Sequence, residues 1–124
     1  MEPISTAVGS SDLPFSEAIK HGDTVYVSGQ GPIDPESGNV VGETVAEQTT
    51  RTLDNVERIL EAAGTSTDNI VKITLFVDDM DDYEAINEAY GAFLSEPYPA
   101  RTAVEVVEHP VDIMIEIDVI AAVA

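Results

Sequence analysis

The sequence predicts an α+β fold, a two-layer sandwich of a mixed, mainly antiparallel sheet with two helices packed on one face. Three observations predict it. Two stretches, opening at Thr44 and at Asp81, carry apolar residues at helical spacing. Short β-branched and aromatic segments precede, separate and follow them. Their order, β-β-(β)-α-β-α-β-β, places both helices on one side of a single sheet.

Each element has its own local reason. Residues Met1 to Leu13, rich in Ser, Thr and Gly, read as a loose start. Residues 14–20 lead into His21-Gly22-Asp23, a turn, and Thr24–Ser28 is a strand, so a hairpin over Gly22 is expected. Ser28-Gly29-Gln30-Gly31-Pro32 ends that strand. Its two glycines mark a bulge or a close approach of backbone to another group. Asp34–Asn39 is a turn, with a short strand at Asn39–Val41. Thr44-x-x-Glu47 matches the capping box, in which two side chains satisfy free backbone N–H groups at a helix start. Val45, Gln48 or Thr49, Thr52, Val56, Ile59, Leu60 and Ala63 form the buried stripe, and Gly64 is the stop. Arg51 and Arg58 belong to the solvated face.

Ile70–Val77 is the clearest strand, with Val71, Ile73, Leu75 and Val77 sharing a face. Asp81-x-x-Glu84 is a second capping box, and Tyr83, Ile86, Tyr90 and Phe93 form the next apolar stripe. Asn87 lies one turn on from Tyr83, at the edge of that stripe. Thr102–Val107 and Ile113–Ala121 are strands joined by a turn at Glu108–Asp112. In the last strand Ile113, Ile115, Ile117 and Val119 share one face, and Met114, Glu116, Asp118 and Ile120 the other. Glu116 is either half-buried, where an unpaired carboxylate is costly, or on a solvated face.

The chain has 124 residues, enough for one domain over 1–124 with its own core, and 44 % of them are apolar. With no cysteine there is no disulfide, thiolate metal site or Cys nucleophile. No apolar run approaches the ~20 residues of a spanning helix, and Met1-Glu2-Pro3 starts no signal peptide. The expectation is a cytoplasmic protein. A net charge of −19 argues against nucleic acid or an anionic membrane as a partner. The acids are spread through periodic segments rather than gathered in a tail, which points to a halophilic, very salty cytoplasm.

Against 24 carboxylates stand five cations: Lys20, Arg51, Arg58, Lys72 and Arg101. Arg101 follows Pro99, which fixes the backbone, and opens a strand, which gives it rigid support. It is either a surface cation bridged to an acid or a planar, bidentate binder of a ligand carboxylate. No phosphate loop, dinucleotide fingerprint or His-rich metal spacing is present, and His21 and His109 both sit at turns. The candidates from the residues alone are Arg101, Glu116 and the Ser28-Gly29 backbone.

In their order and spacing, Val27-Ser28-Gly29-Gln30-Gly31-Pro32, Leu53-Asp54-Asn55-Val56, Ala62-Ala63-Gly64, Ile70–Val77, Asn87-Glu88-Ala89-Tyr90, Pro99-Ala100-Arg101 and Ile115–Ala121 resemble the RidA (YjgF) family of 2-iminobutanoate/2-iminopropanoate deaminases. The resemblance runs from Pro14 to Ala121. It implies a chorismate-mutase-like fold, a homotrimer with active sites between subunits, and hydrolysis of 2-imino acids to 2-oxo acids and ammonia without cofactor or metal. By the same resemblance Arg101 holds the substrate carboxylate and Glu116 handles the attacking water. Ser28, Gly29, Asn87, Phe15 and Ala103 line the substrate. The family often has Tyr at Phe15, whose hydroxyl can touch the substrate, and Cys at Ala103, where the backbone does the work. The alternative implied is a non-catalytic trimer that holds a small carboxylic acid as a sensor or regulator. RNA binding, sometimes attached to the family, conflicts with the charge.

The charge yields a first testable outcome. At 1 M salt the Debye length is ~3 Å, so self-repulsion is screened that would strain the fold in dilute buffer. Unfolding followed across a KCl series should show stability rising into the molar range; full cooperative stability in low-salt buffer refutes this.

Overall fold

The computed structural model describes residues 1–6 and 13–123. The chain forms strands β1 (Glu2–Ile4), β2 (Ala18–His21) and β3 (Thr24–Gln30), helix α1 (Val45–Ala62), strand β4 (Ile70–Val77), helix α2 (Tyr83–Phe93), and strands β5 (Ala100–Glu105) and β6 (Ile115–Ala122). The six strands make one sheet in the order β1-β2-β3-β6-β4-β5. All neighbours are antiparallel except β4 and β5, which run parallel. That pair is joined through α2, as a parallel connection requires a crossover.

The helices cover one face. Ile73, Leu75, Ile115, Ile117 and Val25 from the sheet meet Leu53, Val56, Ile59, Leu60 and Ile86 from the helices, all fully buried. The predicted α1 stripe is buried throughout. Its capping box is formed: the Glu47 N–H donates to Thr44 Oγ1, and the Thr44 N–H donates to Glu47 Oε1, both at 3.1 Å. At the other end the Gly64 N–H donates to the Glu61 carbonyl and the Thr65 N–H to the Leu60 carbonyl. Gly64 has φ +87°, the left-handed conformation that this closing motif needs. Gly22, at φ +61°, turns the expected β2–β3 hairpin.

Several expectations are corrected. The N-terminus is not wholly loose: Glu2–Ile4 pairs with β2 and buries Ile4, while residues 7–12 of that stretch lie outside the described residues. Three residues are too few to show a period, and their pairing partner is remote in sequence. Val71 does not share the core face. A register shift between Ile70 and Lys72 turns Ile70 inward and leaves Val71 56 % exposed. The capping box at Asp81 is not formed. Asp79 caps a 3-10 turn over Met80–Asp82 by accepting from the Asp81 N–H, and α2 follows without a side-chain cap. Asn39–Val41 contributes only a bridge, Val40 to Ile33. β5 ends at Glu105 rather than Val107 and β6 starts at Ile115, although Ile113 is buried as expected. Among the described residues, no helix is long and apolar enough to cross a membrane.

The two helix starts predict opposite responses to mutation. Thr44→Ala removes a formed cap and should cost about 1 kcal/mol in urea unfolding. Asp81→Ala removes no cap. It does remove one charge of a crowded group: burial and the carboxylates of Asp79, Asp78 and Asp81 raise the Asp82 carboxyl above its usual range. Asp81→Ala should therefore be neutral or slightly stabilising, and a loss like that of Thr44→Ala would contradict this account.

Candidate functional site

Arg101 stands on β5, the edge strand, opposite Ile73 of β4. Ile73 is a core residue, so Arg101 shares the helix side of the sheet and reaches α2. Three residues of α2 at i, i+4 and i+7 receive it: Tyr83, Asn87 and Tyr90. Arg101 Nη2 donates to Tyr83 Oη and to Asn87 Oδ1, each at 2.7 Å. The guanidinium carbon lies 5.4 Å from the Tyr83 ring centroid and 4.7 Å from that of Tyr90. Aromatic faces attract a cation through their quadrupole without neutralising it. Nη2 uses both its N–H groups on these two oxygens, and Tyr90 also lies beside the guanidinium.

A cleft of about 320 Å³ opens beside this group, lined by Asn87, Tyr90, Gly91, Tyr98, Pro99 and Arg101. Tyr98 packs on Tyr90 with ring centroids 6.4 Å apart. The Tyr90 hydroxyl is buried and, among the described residues, meets no well-aligned hydrogen-bond partner, although Arg101 lies close beside it. Burial pushes its pKa up, while the charge and proximity of Arg101 oppose the shift. The stripe on α2 was expected to be core. It is core at Ile86, but its two tyrosines also form the seat of Arg101, which the sequence signalled only by placing Asn87 between them.

A second group lies around Glu116 of β6. Glu116 is opposite Phe76, away from the buried Ile115 and Ile117 and half-buried itself. The half-buried reading of this acid is the one observed. Gly29 rests directly on it: a Cβ at Gly29 would come within 2.7 Å of Glu116 Cδ and of Oε2. The register shift between Val27 and Gln30 makes that approach possible. Both readings of the Ser28-Gly29 segment, bulge and close approach, therefore hold. Ser28 Oγ donates to the Ser16 carbonyl at 2.6 Å, which ties the hydroxyl to the neighbour of Phe15. The Phe15 ring is 62 % exposed.

The structure thus brings Arg101 and Asn87 together, and separately Glu116, Ser28 and Gly29. It does not bring the two groups together within one chain. Residues opposite one another in register share a face. Arg101, Ile73 and Val119 line up on the helix side, and Val104, Phe76 and Glu116 on the other. Ala103, opposite Leu75, packs toward the core. Arg58 departs from its expected role, since its Nη1 donates to the buried Asn55 at 2.7 Å and its Nε to Thr6 Oγ1. Among the described residues, no group of three or more His, Asp or Glu could hold a metal ion.

This architecture recurs in known proteins. The family described as Endoribonuclease L-PSP matches residues 6–123. A RutC family protein of Pyrococcus abyssi is 45 % identical over 108 residues, covering 87 % of this chain and 85 % of its own. The 2-iminobutanoate/2-iminopropanoate deaminase of Salmonella typhimurium is 43 % identical over 111 residues, covering 87 % and 86 %. The crystal structure of the YjgF gene product from E. coli superposes with a TM-score of 0.91 at 39 % identity, covering 98 % of both chains. The fold is accordingly the YjgF, chorismate-mutase-like arrangement of two helices on a six-stranded mixed sheet. A match over nearly the whole chain, with relatives above 40 % identity, makes this protein a member of the Endoribonuclease L-PSP family, which includes RutC and RidA proteins.

Proposed function

We propose that this protein hydrolyses 2-imino acids such as 2-iminobutanoate and 2-iminopropanoate to 2-oxo acids and ammonia, at sites shared between copies of the chain in a homotrimer. The observation that carries this reading is the Arg101 seat. A cation held by neutral partners beside a cleft is prepared for a ligand anion, and a carboxylate can take two parallel hydrogen bonds from a guanidinium edge. Fixing the carboxylate fixes the adjacent C=N carbon. Water adds to that carbon as Glu116 accepts one of its protons and returns it to the nitrogen, giving a tetrahedral amino alcohol. The hydroxyl then gives its proton to Glu116, which passes it to the amino group as the C–N bond breaks, ammonia leaves and the C=O forms. A single carboxylate serves both transfers.

Because Arg101 and Glu116 of one chain occupy opposite faces, the reaction pairs Arg101 of one copy with Glu116 of another. The face bearing Glu116 suits such contact: Tyr26 and Val104 are exposed on it, with Phe76 and Ile120 half-buried. The name of the Salmonella relative supports the substrate class. Phe15 supports a second reading, a trimer that binds a small carboxylic acid as a sensor or regulator, because no hydroxyl is offered there. The ribonuclease in the family's description finds less support in a chain with a net charge of −19.

The decisive assay couples a dehydratase that generates 2-iminobutanoate to ammonia detection in molar KCl. Arg101→Ala should abolish release while leaving the oligomer intact. Glu116→Gln should lower kcat by about 10²-fold or more, with less effect on binding. Unchanged rates would remove either residue from the mechanism, and an inactive wild type that still binds 2-oxobutanoate would favour the sensor. Unfolding and reassembling the two inactive variants together adds a geometric test. If each site draws Arg101 and Glu116 from different chains, about a quarter of wild-type activity should return. Sites built within one chain would recover nothing.

A further inference from the structure

Helix α1 carries two buried amides that the reaction does not use. Gln48 and Asn55 are seven residues apart, about two helical turns, and so lie on the same side of the helix. Each is almost wholly buried. Asn55 Nδ2 donates to the Gly31 carbonyl at 2.9 Å and to the Ile33 carbonyl at 2.8 Å, and Oδ1 accepts from Arg58 Nη1 at 2.7 Å. Gln48 Nε2 donates to the Gly42 carbonyl at 3.1 Å, and Oε1 accepts from the Met114 N–H at 2.8 Å. A buried amide engaged at both ends has one orientation, and losing a partner there leaves a desolvated polar group.

The backbone groups they hold flank the second half of the site. Gly31 follows Gly29 by two residues, and Met114 precedes Glu116 by two. Gly29 and Glu116 are themselves in contact, and Ile113 Cδ1 would lie 3.0 Å from a Cβ at Gly31, so the two segments pack against each other. The Asn55 end continues through a closed circuit. Arg58 Nε donates to Thr6 Oγ1 at 3.3 Å. The Thr6 N–H and hydroxyl donate to the Glu17 carboxylate at 2.7 and 2.9 Å. The Ser28 N–H donates to the Glu17 carbonyl at 2.9 Å. Residues 28–33 are thus tethered at one end through Glu17 and at the other through Asn55.

We propose that Asn55 and Gln48 are positioning residues, which clamp the 28–33 segment and the start of β6 to α1 and so hold Gly29 against the Glu116 carboxylate. The inference rests on the deaminase reading for its effect on rate but not for the clamp itself. Arg101 sits on β5 and α2, outside the clamp. Loosening it should therefore impair the water-handling half of the site and spare carboxylate binding.

The test uses the full chain in molar KCl. Asn55→Asp keeps the size and the acceptor facing Arg58 but removes both donors. Its kcat for 2-iminobutanoate should fall about ten-fold or more, with KM held within about two-fold. Amide hydrogen exchange should quicken at residues 28–33. Arg58→Met, which leaves the Asn55 amide in place, should move both readouts less in the same direction, and Arg58→Lys should restore them. Gln48→Met should quicken exchange at 113–116 instead. The proposal is overturned by folded variants with wild-type kcat and exchange, or by a rate loss that only tracks the fraction unfolded. If the wild type releases no ammonia, the deaminase reading falls and the exchange measurement alone decides the clamp.

Discussion

Among the described residues Arg101 is held by neutral groups rather than by carboxylates, and the candidate site is built around that constraint. In a chain with 24 acidic residues, a guanidinium left to itself would be compensated by whichever acid came near. Arg101 is instead received by two phenol rings, one phenol oxygen and one amide oxygen. These partners orient the plane and satisfy Nη2 while leaving the positive charge available. The burial of Tyr90 in the core and the position of Arg101 on a strand hold the arrangement rigid.

The sheet then separates the chemistry. One face, covered by helices, carries Arg101; the other carries Glu116 beneath Gly29. A sheet of this size cannot bring both to one point within a single chain, because residues in register keep to their own face. The open face carries exposed Tyr26 and Val104 beside half-buried Phe76 and Ile120. Helix α1 reaches the segments beside Glu116: its apolar stripe fills the core, and its two buried amides bond loops at either side.

Much of this was legible in the residues. The capping box at Thr44, the stop at Gly64, the alternation of β6 and the close approach at Gly29 depend on local geometry, and all are found. Other features depended on partners remote in sequence. Val71 obeys the same alternation as Ile73, but a bulge against β6 reverses it. Asp81 and Glu84 have the spacing of a cap, yet Asp79 starts the turn earlier. Arg58 occupies an outward helical position, yet Thr6 and the buried Asn55 capture it.

By itself the sequence determined the two helices, the main strands and most of their apolar faces, and it singled out Arg101 and Glu116 as candidates. Those properties follow from periodicity and from the chemistry of adjacent residues. Only the tertiary structure decided that Arg101 turns toward α2 while Glu116 turns away from it. Strand order and register set that relation, and both are fixed by hydrogen bonds between segments that no local pattern connects.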